Sequence, residues 1–195
     1  MTKIVWETDW ANATDRTEST GKPLFIYFFY AEGGGCRSEN IDCRQMDRVT
    51  FGEPEVARQL NRHVIPFRVS SADPLAGILE VHWTPHLLFL DHLQQPHHRI
   101  IGFMSPRELI PNILLGVAKT HFHNGDLERP IDLLTEIIEE YPESRVGAKA
   151  VYLQGILHHK LNCVGYPLRE IYEEITKKHP DLAGAGPRTS AYRVL

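Results

Sequence analysis

One unbroken apolar and aromatic run, Leu24-Phe25-Ile26-Tyr27-Phe28-Phe29-Tyr30, decides the fold class of this chain. Gly21-Lys22-Pro23 precedes it and ends a helix that we predict over residues 8–19, and Gly33-Gly34-Gly35 follows it. A run of this length without alternation between apolar and polar positions is typical of a strand that is covered on both faces. We therefore predict a buried strand inside a sheet that has helices on both sides.

Strand and helix patterns alternate outward from this run. A helix is predicted from about Asn40, interrupted at Gly52-Glu53-Pro54 and resuming to about Asn61. Pro66 lies inside the next predicted strand, which favours an edge position or an irregular start because proline cannot donate a hydrogen bond to a neighbouring strand. The order α-β-α-β-α-β-β-α predicts an α/β fold, with a mixed sheet of parallel pairs ending in an antiparallel hairpin and flanked by helices. The strands after the first are predicted at 64–69, 86–91 and 97–102, and the later helices at 73–80 and 105–122.

The character of the sequence changes after Asn124-Gly125. No strand pattern follows, and three helical segments are predicted near 128–140, 144–161 and 167–178. Two of these segments end at X-Pro pairs whose spacing lies near the roughly 34-residue period of tetratricopeptide helix pairs. We therefore predict two units, a domain over residues 1–123 and an all-helical extension over residues 124–195.

Composition and charge exclude several classes of function. The chain has 195 residues and a formal net charge of -4, and it has no basic block. No apolar run approaches the roughly 20 residues of a membrane span, so we expect neither nucleic-acid nor membrane binding as its main task. Three cysteines, Cys36, Cys43 and Cys163, are too few for the disulfide scaffold of a small secreted protein. The amino terminus has no hydrophobic signal core, so a reducing cytoplasm is the expected location.

Six motifs follow one another along the first two thirds of the chain: Gly21-Lys22-Pro23, Cys43-Arg44-Gln45-Met46-Asp47, Glu53-Pro54-Glu55-Val56, Trp83-Thr84-Pro85, Leu87–Asp91 and Arg99–Phe103. Through these motifs and their order, residues 24–117 resemble the thioredoxin-like proteins of the bacterial thioredoxin and thiol-disulfide isomerase kind. The resemblance implies a thioredoxin-like mixed sheet flanked by helices, and protein or peptide segments as substrates or partners. The helical extension resembles the tetratricopeptide-like tail that some of these proteins carry.

The active-site motif of that family is Cys-x-x-Cys, and this chain departs from it. Cys43 matches the second cysteine, but Asn40 stands three residues upstream, where the nucleophile belongs. In the usual site the helix amino terminus stabilises the first thiolate, and the second cysteine resolves the mixed disulfide. Asn40 can cap a helix but cannot attack a disulfide, and Asp42 next to Cys43 is expected to disfavour the Cys43 thiolate. The resemblance therefore implies a degenerate Cys-x-x-Cys site.

Cys36 leaves two interpretations of this site open. In the first, the glycine-rich loop folds back over the helix start, so that Cys36 attacks a disulfide and Cys43 resolves it in thiol–disulfide exchange. In the second, Cys36 is an incidental loop thiol and Cys43 a small core residue, and the chain is a redox-inactive binding or scaffold module for protein partners. Asn40 and the helical extension favour the second interpretation, because stacked helix pairs often present concave surfaces to partners. Cys163 is expected to be structural.

Trp83, Thr84 and Pro85 form the second candidate element of the site. The resemblance implies that the Thr84–Pro85 peptide bond is cis and that its loop lies against the start of the active-site helix. The Thr84 backbone would then pair with an extended substrate segment by strand addition. Trp83 either packs beneath this loop or forms one wall of a peptide groove. The resemblance implies no organic cofactor, and turnover would need an external reductant.

The histidines raise the alternative of a metal site. Of the 11 histidines, His82 and His86 flank the Trp-Thr-Pro segment and are candidates to approach Cys36 or Cys43. No Cys-x-x-Cys pair or histidine pair at helix spacing fixes a ligand geometry, so we expect no bound metal. The apolar positions of the extension leave a homo-oligomer open.

Overall fold

The computed structural model describes residues 2–30, 37–162 and 177, and for residues 37–40 and 162 it describes the backbone alone. Helices and strands alternate through the first two thirds of the chain, and helices alone follow. The elements are α1 (Trp10–Thr20), β1 (Leu24–Phe29), α2 (Arg37–Gln45), a π-helical turn (Met46–Thr50), α3 (Pro54–His63), β2 (Ile65–Ser70), α4 (Pro74–Ile78), β3 (His86–Leu90), β4 (Pro96–Ile101), α5 (Pro106–His123), α6 (Arg129–Glu140) and α7 (Gly147–Asn162).

Four strands form one mixed sheet in the order β2-β1-β3-β4. Strand β1 is parallel to β2, with Leu24 opposite Ile65, and antiparallel to β3, with Leu24 opposite Leu90. Strands β3 and β4 form the predicted antiparallel hairpin. The predicted α/β class is therefore confirmed, with a single parallel pair in place of the several that the element order implied.

Both faces of the sheet are buried, as the unbroken apolar run of β1 predicts. Phe25 and Tyr27 belong to one core cluster, and the alternate residues Ile26 and Phe28 belong to the other. Helices α3 and α5 cover the first face, whereas α1 and α4 cover the second. Met46 packs in the first cluster, so the segment that contains Cys43 lies on that side of the sheet.

Strand β2 is the edge strand that Pro66 favours. The amino-terminal segment lies along its outer side: the Glu7 N–H donates to the Pro66 carbonyl at 2.7 Å, and the Arg68 N–H donates to the Glu7 carbonyl at 3.0 Å. This parallel bridge covers the strand edge and so satisfies backbone groups that would otherwise face solvent.

Helix α5 connects the sheet to the helical extension. It packs on the sheet through Leu109 and Ile113, and it packs on α6 and α7 through Leu114 and Ala118. The predicted helices near 128–140 and 144–161 correspond to α6 and α7. The third, near 167–178, lies almost wholly outside the described residues. No helix in the described part of the chain is long and apolar enough to cross a membrane.

The segment after β1 differs from the sequence-based prediction. Helix α2 begins at Arg37 rather than near Asn40, and it continues directly into the π-helical turn. The predicted start was wrong because the capping preference of asparagine is a weak signal, which a run of helix-compatible residues overrides. Gly52 follows the turn, where a Cβ would lie 2.5 Å from the Arg48 carbonyl oxygen. Only glycine fits this position without a shift of the backbone.

Candidate functional site

Cys43 lies in α2 beside the carboxyl end of β1, and it is only 5% exposed. Its sulfur accepts a hydrogen bond from the backbone N–H of Tyr30, with 3.3 Å between nitrogen and sulfur. Tyr30 directly follows β1, so the end of the strand and the helix meet at the sulfur atom. The thiol is therefore sheltered from solvent and has a donor fixed by the backbone.

The segment between α4 and β3 brings a second donor to the same sulfur. The Thr84–Pro85 peptide bond is cis, and the Gly102 N–H donates to the Pro85 carbonyl at 2.8 Å, which ties the loop to the end of β4. Thr84 is 3% exposed, and its hydroxyl lowers the pKa of the Cys43 thiol. Trp83 on the same loop is 43% exposed, so its indole borders the site on the solvent side.

Tyr27 approaches Cys43 from the sheet. Its hydroxyl donates to the Cys43 carbonyl oxygen at 3.4 Å, and it lowers the pKa of the Cys43 thiol and of the Asp47 carboxyl. Cys43 and Asp47 are four residues apart along the helix, so both side chains lie on the same side of it. The tyrosine hydroxyl therefore acts on both the thiol and the carboxylate.

Arg68 on β2 holds that carboxylate in place. Its Nη2 lies 3.0 Å from Asp47 Oδ2, and the two side chains are 34% and 36% exposed. The guanidinium also lies over the Phe29 ring, 4.5 Å from the centroid, and 5.5 Å from the centroid of Tyr27. These aromatic contacts restrict the guanidinium to one position, so the carboxylate sits between a fixed cation and the tyrosine hydroxyl.

Burial is the main electrostatic influence on Cys43. It raises the pKa of the Cys43 thiol above its ordinary value, and the Asp47 carboxylate raises it further, whereas the hydrogen bonds described above lower it. The net effect keeps Cys43 protonated at neutral pH, and a thiol attacks a disulfide only after it loses its proton. The carboxylate that raises the Cys43 pKa in this way is Asp47, one helical turn further along the chain.

The pKa values of Tyr27 and Asp47 are also shifted from their ordinary values. Burial raises the pKa of the Tyr27 phenol, and Asp47 adds to this effect, so the hydroxyl keeps its proton. Burial raises the pKa of the Asp47 carboxyl too, while the Arg68 guanidinium and the Tyr27 hydroxyl oppose that rise.

His86 directly follows the cis-proline and is 2% exposed. Burial lowers its pKa to about 4, with a further contribution from Arg99, whose Nη1 lies 3.2 Å from His86 Nε2. The imidazole is therefore neutral, and its Nε2 is engaged with Arg99 of β4. Within the ranges that the structure describes, no group of three or more histidine, cysteine, aspartate or glutamate side chains could hold a metal ion.

The structure brings some of the predicted site residues together. Cys43 and Thr84 are in contact, and Trp83 and Pro85 lie on the loop that supplies this contact. Cys36 and Cys163 lie outside the described residues.

Sequence reasoning missed Tyr27 and Asp47 as parts of the site. Tyr27 was assigned to the core, where its ring does pack. The available signal was its hydroxyl, because a buried tyrosine usually finds a hydrogen-bond partner. Arg68, a charged residue inside a strand, was a second such signal, since a buried or half-buried charge requires a partner.

Comparison with known proteins agrees with this geometry. The profile of the family described as "Thioredoxin-like domain" matches residues 10–114, more than half of the chain. A thioredoxin from Thermus thermophilus is similar in structure, with a TM-score of 0.52 and 21% sequence identity over 64% of this chain and 95% of its own. A putative disulphide-isomerase from Bacteroides thetaiotaomicron is similar too, with a TM-score of 0.50 and 25% identity over 60% of this chain and 94% of its own. Among curated proteins, none matches the sequence. The mixed sheet, the cysteine helix beside its central strand and the family match together place this chain in the thioredoxin-like domain family.

Proposed function

We propose that the protein carries out thiol–disulfide exchange on protein or peptide segments, with Cys36 as the attacking thiol and Cys43 as the resolving thiol. The observation that supports this most directly is the environment of the Cys43 sulfur, which accepts a hydrogen bond from the Tyr30 N–H and lies beside the Thr84 hydroxyl. Burial raises the pKa of the Cys43 thiol on balance, and these two donors offset part of that rise, so they favour the thiolate that exchange requires. A small core residue needs no such donors.

The proposed reaction has two steps. The Cys36 thiolate attacks one sulfur of the substrate disulfide, a mixed disulfide forms, and the other substrate sulfur leaves as a thiolate and takes up a proton. The Cys43 thiolate then attacks Cys36, the Cys36–Cys43 disulfide forms, and the second substrate sulfur leaves in the same way. The substrate gains two electrons, which an external dithiol returns to the protein. No organic cofactor takes part in this scheme.

The loop of Trp83, Thr84 and Pro85 is the proposed substrate-binding element. Thr84 lies at the sulfur, and Trp83 lies at the solvent border. A segment bound along the Thr84 backbone would therefore pass directly beside Cys43. Strand addition of this kind recognises the backbone of an extended segment, and neighbouring side chains such as an exposed indole add preference.

The proposed cysteine pair makes one geometric demand on α2. Arg37 and Cys43 are about 9 Å apart along the helix axis, at roughly 1.5 Å per residue. Cys36 directly precedes Arg37, and a disulfide requires Cα atoms within about 7 Å of each other. The proposal therefore predicts that the first turn of α2 rearranges on oxidation. This predicts a loss of helix signal on oxidation, which circular dichroism measures.

Serine variants test the proposal directly. The protein reduces a peptide with a single disulfide, in the presence of dithiothreitol, and the rate is followed by chromatography. Cys36→Ser and Cys43→Ser are each expected to abolish the protein-dependent rate. Cys163→Ser is the matched control and is expected to retain it. Unchanged rates in both of the first two variants would refute the proposed exchange.

The alternative function is a redox-inactive binding or scaffold module. Asn40 favours it, because it occupies the position at which the family's usual nucleophile stands. Under this alternative, a Cys36→Ser/Cys43→Ser double variant keeps its fold and its protein partners. Loss of partner binding in the folded double variant would argue against it and in favour of exchange.

The proposed organisation assigns exchange to residues 1–123 and partner binding to the tetratricopeptide-like extension, 124–195. The described helices of the extension, α6 and α7, pack on each other and on α5, as stacked helix pairs do. The proposed location is the reducing cytoplasm, where the external dithiol is available.

A further inference from the structure

A groove of about 560 Å³ lies between α3 and α6, two helices that both pack on α5. None of the residues that line it belongs to the cysteine site, and neither candidate function uses it. Its walls include four residues of α3 and two of α6: Glu55, Arg58, Gln59, Arg62, Glu136 and Glu140. Walls of this kind are suited to a charged group.

The spacing of these residues along their helices brings them to the groove. Glu55, Gln59 and Arg62 follow one another at intervals of four and three residues in α3, so their side chains share one face of that helix. Glu136 and Glu140 lie four residues apart in α6 and share a face in the same way. The buried apolar residues of both helices pack into the cores. The two polar faces therefore border the groove from its two sides.

The α6 wall of the groove carries negative charge that no described residue neutralises. On the α3 wall, Arg58 forms an ion pair with Glu55. Within the described part of the chain, no cation forms an ion pair with Glu136 or Glu140, and the exposed Arg62 forms none with a carboxylate. Two carboxylates four residues apart on a helix repel each other. A bound cation therefore relieves a repulsion at this wall.

Gln59 gives a second, independent indication that the groove takes a ligand. It is 7% exposed, and its Nε2 donates to Glu55 Oε1 at 2.9 Å, which holds the amide in the groove wall. Its Oε1 is buried and has no hydrogen-bond partner among the described residues. A buried acceptor without a donor is unfavourable, and such groups are rare in folded proteins. The groove therefore favours a group that brings N–H donors as well as positive charge.

We infer that this groove binds an arginine side chain of a partner protein. A guanidinium is always charged, and it presents five N–H donors in one plane and no acceptor. These donors match the carboxylates of Glu136 and Glu140 and the Gln59 oxygen, all of which are acceptors. An anionic ligand would find Arg62 alone, since Arg58 is already paired. A neutral ligand would leave both carboxylates without a counter-charge.

The inference goes beyond the proposed function, because it involves neither Cys36 nor Cys43. It applies to an exchange protein that recruits its substrates and equally to a redox-inactive binding module. Its test therefore measures binding alone. Failure of the exchange assay would leave the groove intact, and failure of binding at the groove would leave the exchange intact.

Nuclear magnetic resonance of the isotope-labelled full chain tests the inference. The probe is the peptide acetyl-Gly-Arg-Gly-amide, and the matched peptide carries citrulline, which has the shape of arginine without its charge. The arginine peptide is expected to cause saturable shifts of the backbone amide signals of residues 55–62 and 136–141. The expected Kd is on the order of 1 mM, because single exposed charge pairs are weak. The citrulline peptide is expected to cause no saturable shift.

Variants of the two walls locate the binding. Glu136→Gln and Glu140→Gln are each expected to raise the Kd about tenfold, as the loss of one charge-assisted hydrogen bond does. Gln59→Met removes the buried acceptor at similar size and is expected to raise the Kd about threefold. Glu139→Gln is the matched control, because Glu139 is exposed on the same helix but does not line the groove. Its Kd is expected to equal that of the natural chain.

Several results would overturn the inference. One is the absence of saturable shifts at peptide concentrations on the order of 10 mM, and another is equal binding of the citrulline peptide. Equal weakening by Glu139→Gln and Glu136→Gln would show a general attraction to the charge of α6 and no site. Tighter binding of acetyl-Gly-Glu-Gly-amide at the same signals would assign the groove to anions. If Gln59→Met does not fold, as judged by circular dichroism, the two glutamate variants of α6 decide.

Discussion

The two ends of the sheet bury polar groups in different ways. At the end beyond β1, the Tyr30 backbone N–H donates to the Cys43 sulfur, and the Tyr27 and Thr84 hydroxyls lower the pKa of the thiol. At the opposite end, the Asp91 carboxylate accepts hydrogen bonds from the N–H groups of Leu93 and Gln95 at 2.8 and 2.9 Å and contacts His97 Nε2 at 2.7 Å. The first arrangement surrounds a nucleophile, and the second closes a turn.

The difference shows that buried hydrogen bonds alone do not identify a reactive site. The Asp91 carboxylate is fully occupied by its own β3–β4 turn, and the His97 ring stacks on His123 at a centroid distance of 4.7 Å. The Cys43 sulfur is instead approached by β1 with the residue that follows it and by the Thr84–Pro85 loop, which lie far apart in the sequence. Convergence from several elements on a single reacting atom is therefore the feature that distinguishes the candidate site, and the following predictions test it.

The largest expected effect is a loss of stability in acid that arises from His86. His86 stays neutral in the folded protein, whereas in the unfolded chain it binds a proton below about pH 6.5. The free energy of unfolding therefore has its full value above that pH. It falls as the pH drops toward about 4, the pKa of His86 in the folded state. The expected loss over this interval is about 3 kcal/mol. Urea unfolding at graded pH measures it.

His86→Gln removes this titration, so its unfolding free energy is expected to depend less steeply on pH between 6.5 and 4. His92 is exposed in the β3–β4 turn, so His92→Gln is the control. Its unfolding free energy is expected to depend on pH as steeply as that of the natural chain. An equal pH dependence in all three proteins would contradict the assignment.

Asp91→Asn is expected to lower the stability of the protein without a change in the reactivity of Cys43 at the other end of the sheet. The amide puts N–H donors opposite other donors in the turn, which costs about 2 kcal/mol of unfolding free energy for a buried mismatch. The Cys43 alkylation rate is expected to stay at its natural value. A changed Cys43 alkylation rate in the folded variant would show that the two ends of the sheet are coupled and would contradict this prediction.

Asn40→Cys is expected to give Cys43 a partner thiol within reach of a disulfide. Residues three apart in a helix have Cα atoms about 5 Å apart, inside the range for a disulfide. The spacing between positions 40 and 43 allows a disulfide to form without a rearrangement of α2. Reduction of the peptide disulfide is therefore expected to accelerate by about tenfold, the equivalent of about 1.4 kcal/mol in the barrier. Asn40→Ser is the matched control, and equal rates for the two variants would contradict the expected geometry.

Thr84→Val has the smallest expected effect. It removes one of the donors to the sulfur with little change of shape, so the Cys43 pKa is expected to rise and exchange to slow by about threefold, in line with one modest hydrogen bond. Thr14→Val, whose hydroxyl bonds only within α1, is expected to leave the rate unchanged. An unaltered pH profile of alkylation in Thr84→Val would show that this hydroxyl does not act on the thiol.

The sheet could be predicted from the sequence because the sequence signals for its strands are local. The aromatic run of β1 and the proline in β2 each indicate a position in the sheet without knowledge of the partner strand. The start of α2 was mispredicted, since Asn40 has a capping preference but the residues before it also accept a helix. The Tyr27–Asp47–Arg68 arrangement was missed because it joins a strand, a helix and a second strand that only the tertiary fold brings together.

The most direct test of the account is the redox state of the cysteines in the natural chain. Intact mass after thiol alkylation is measured across glutathione buffers of graded potential. We predict that two alkylations are lost together between roughly -180 and -270 mV, reversibly, and that peptide mapping assigns the disulfide to Cys36 and Cys43. Three alkylated thiols at every potential would contradict the account, and the protein would then be a binding module that retains the thioredoxin-like fold without its chemistry.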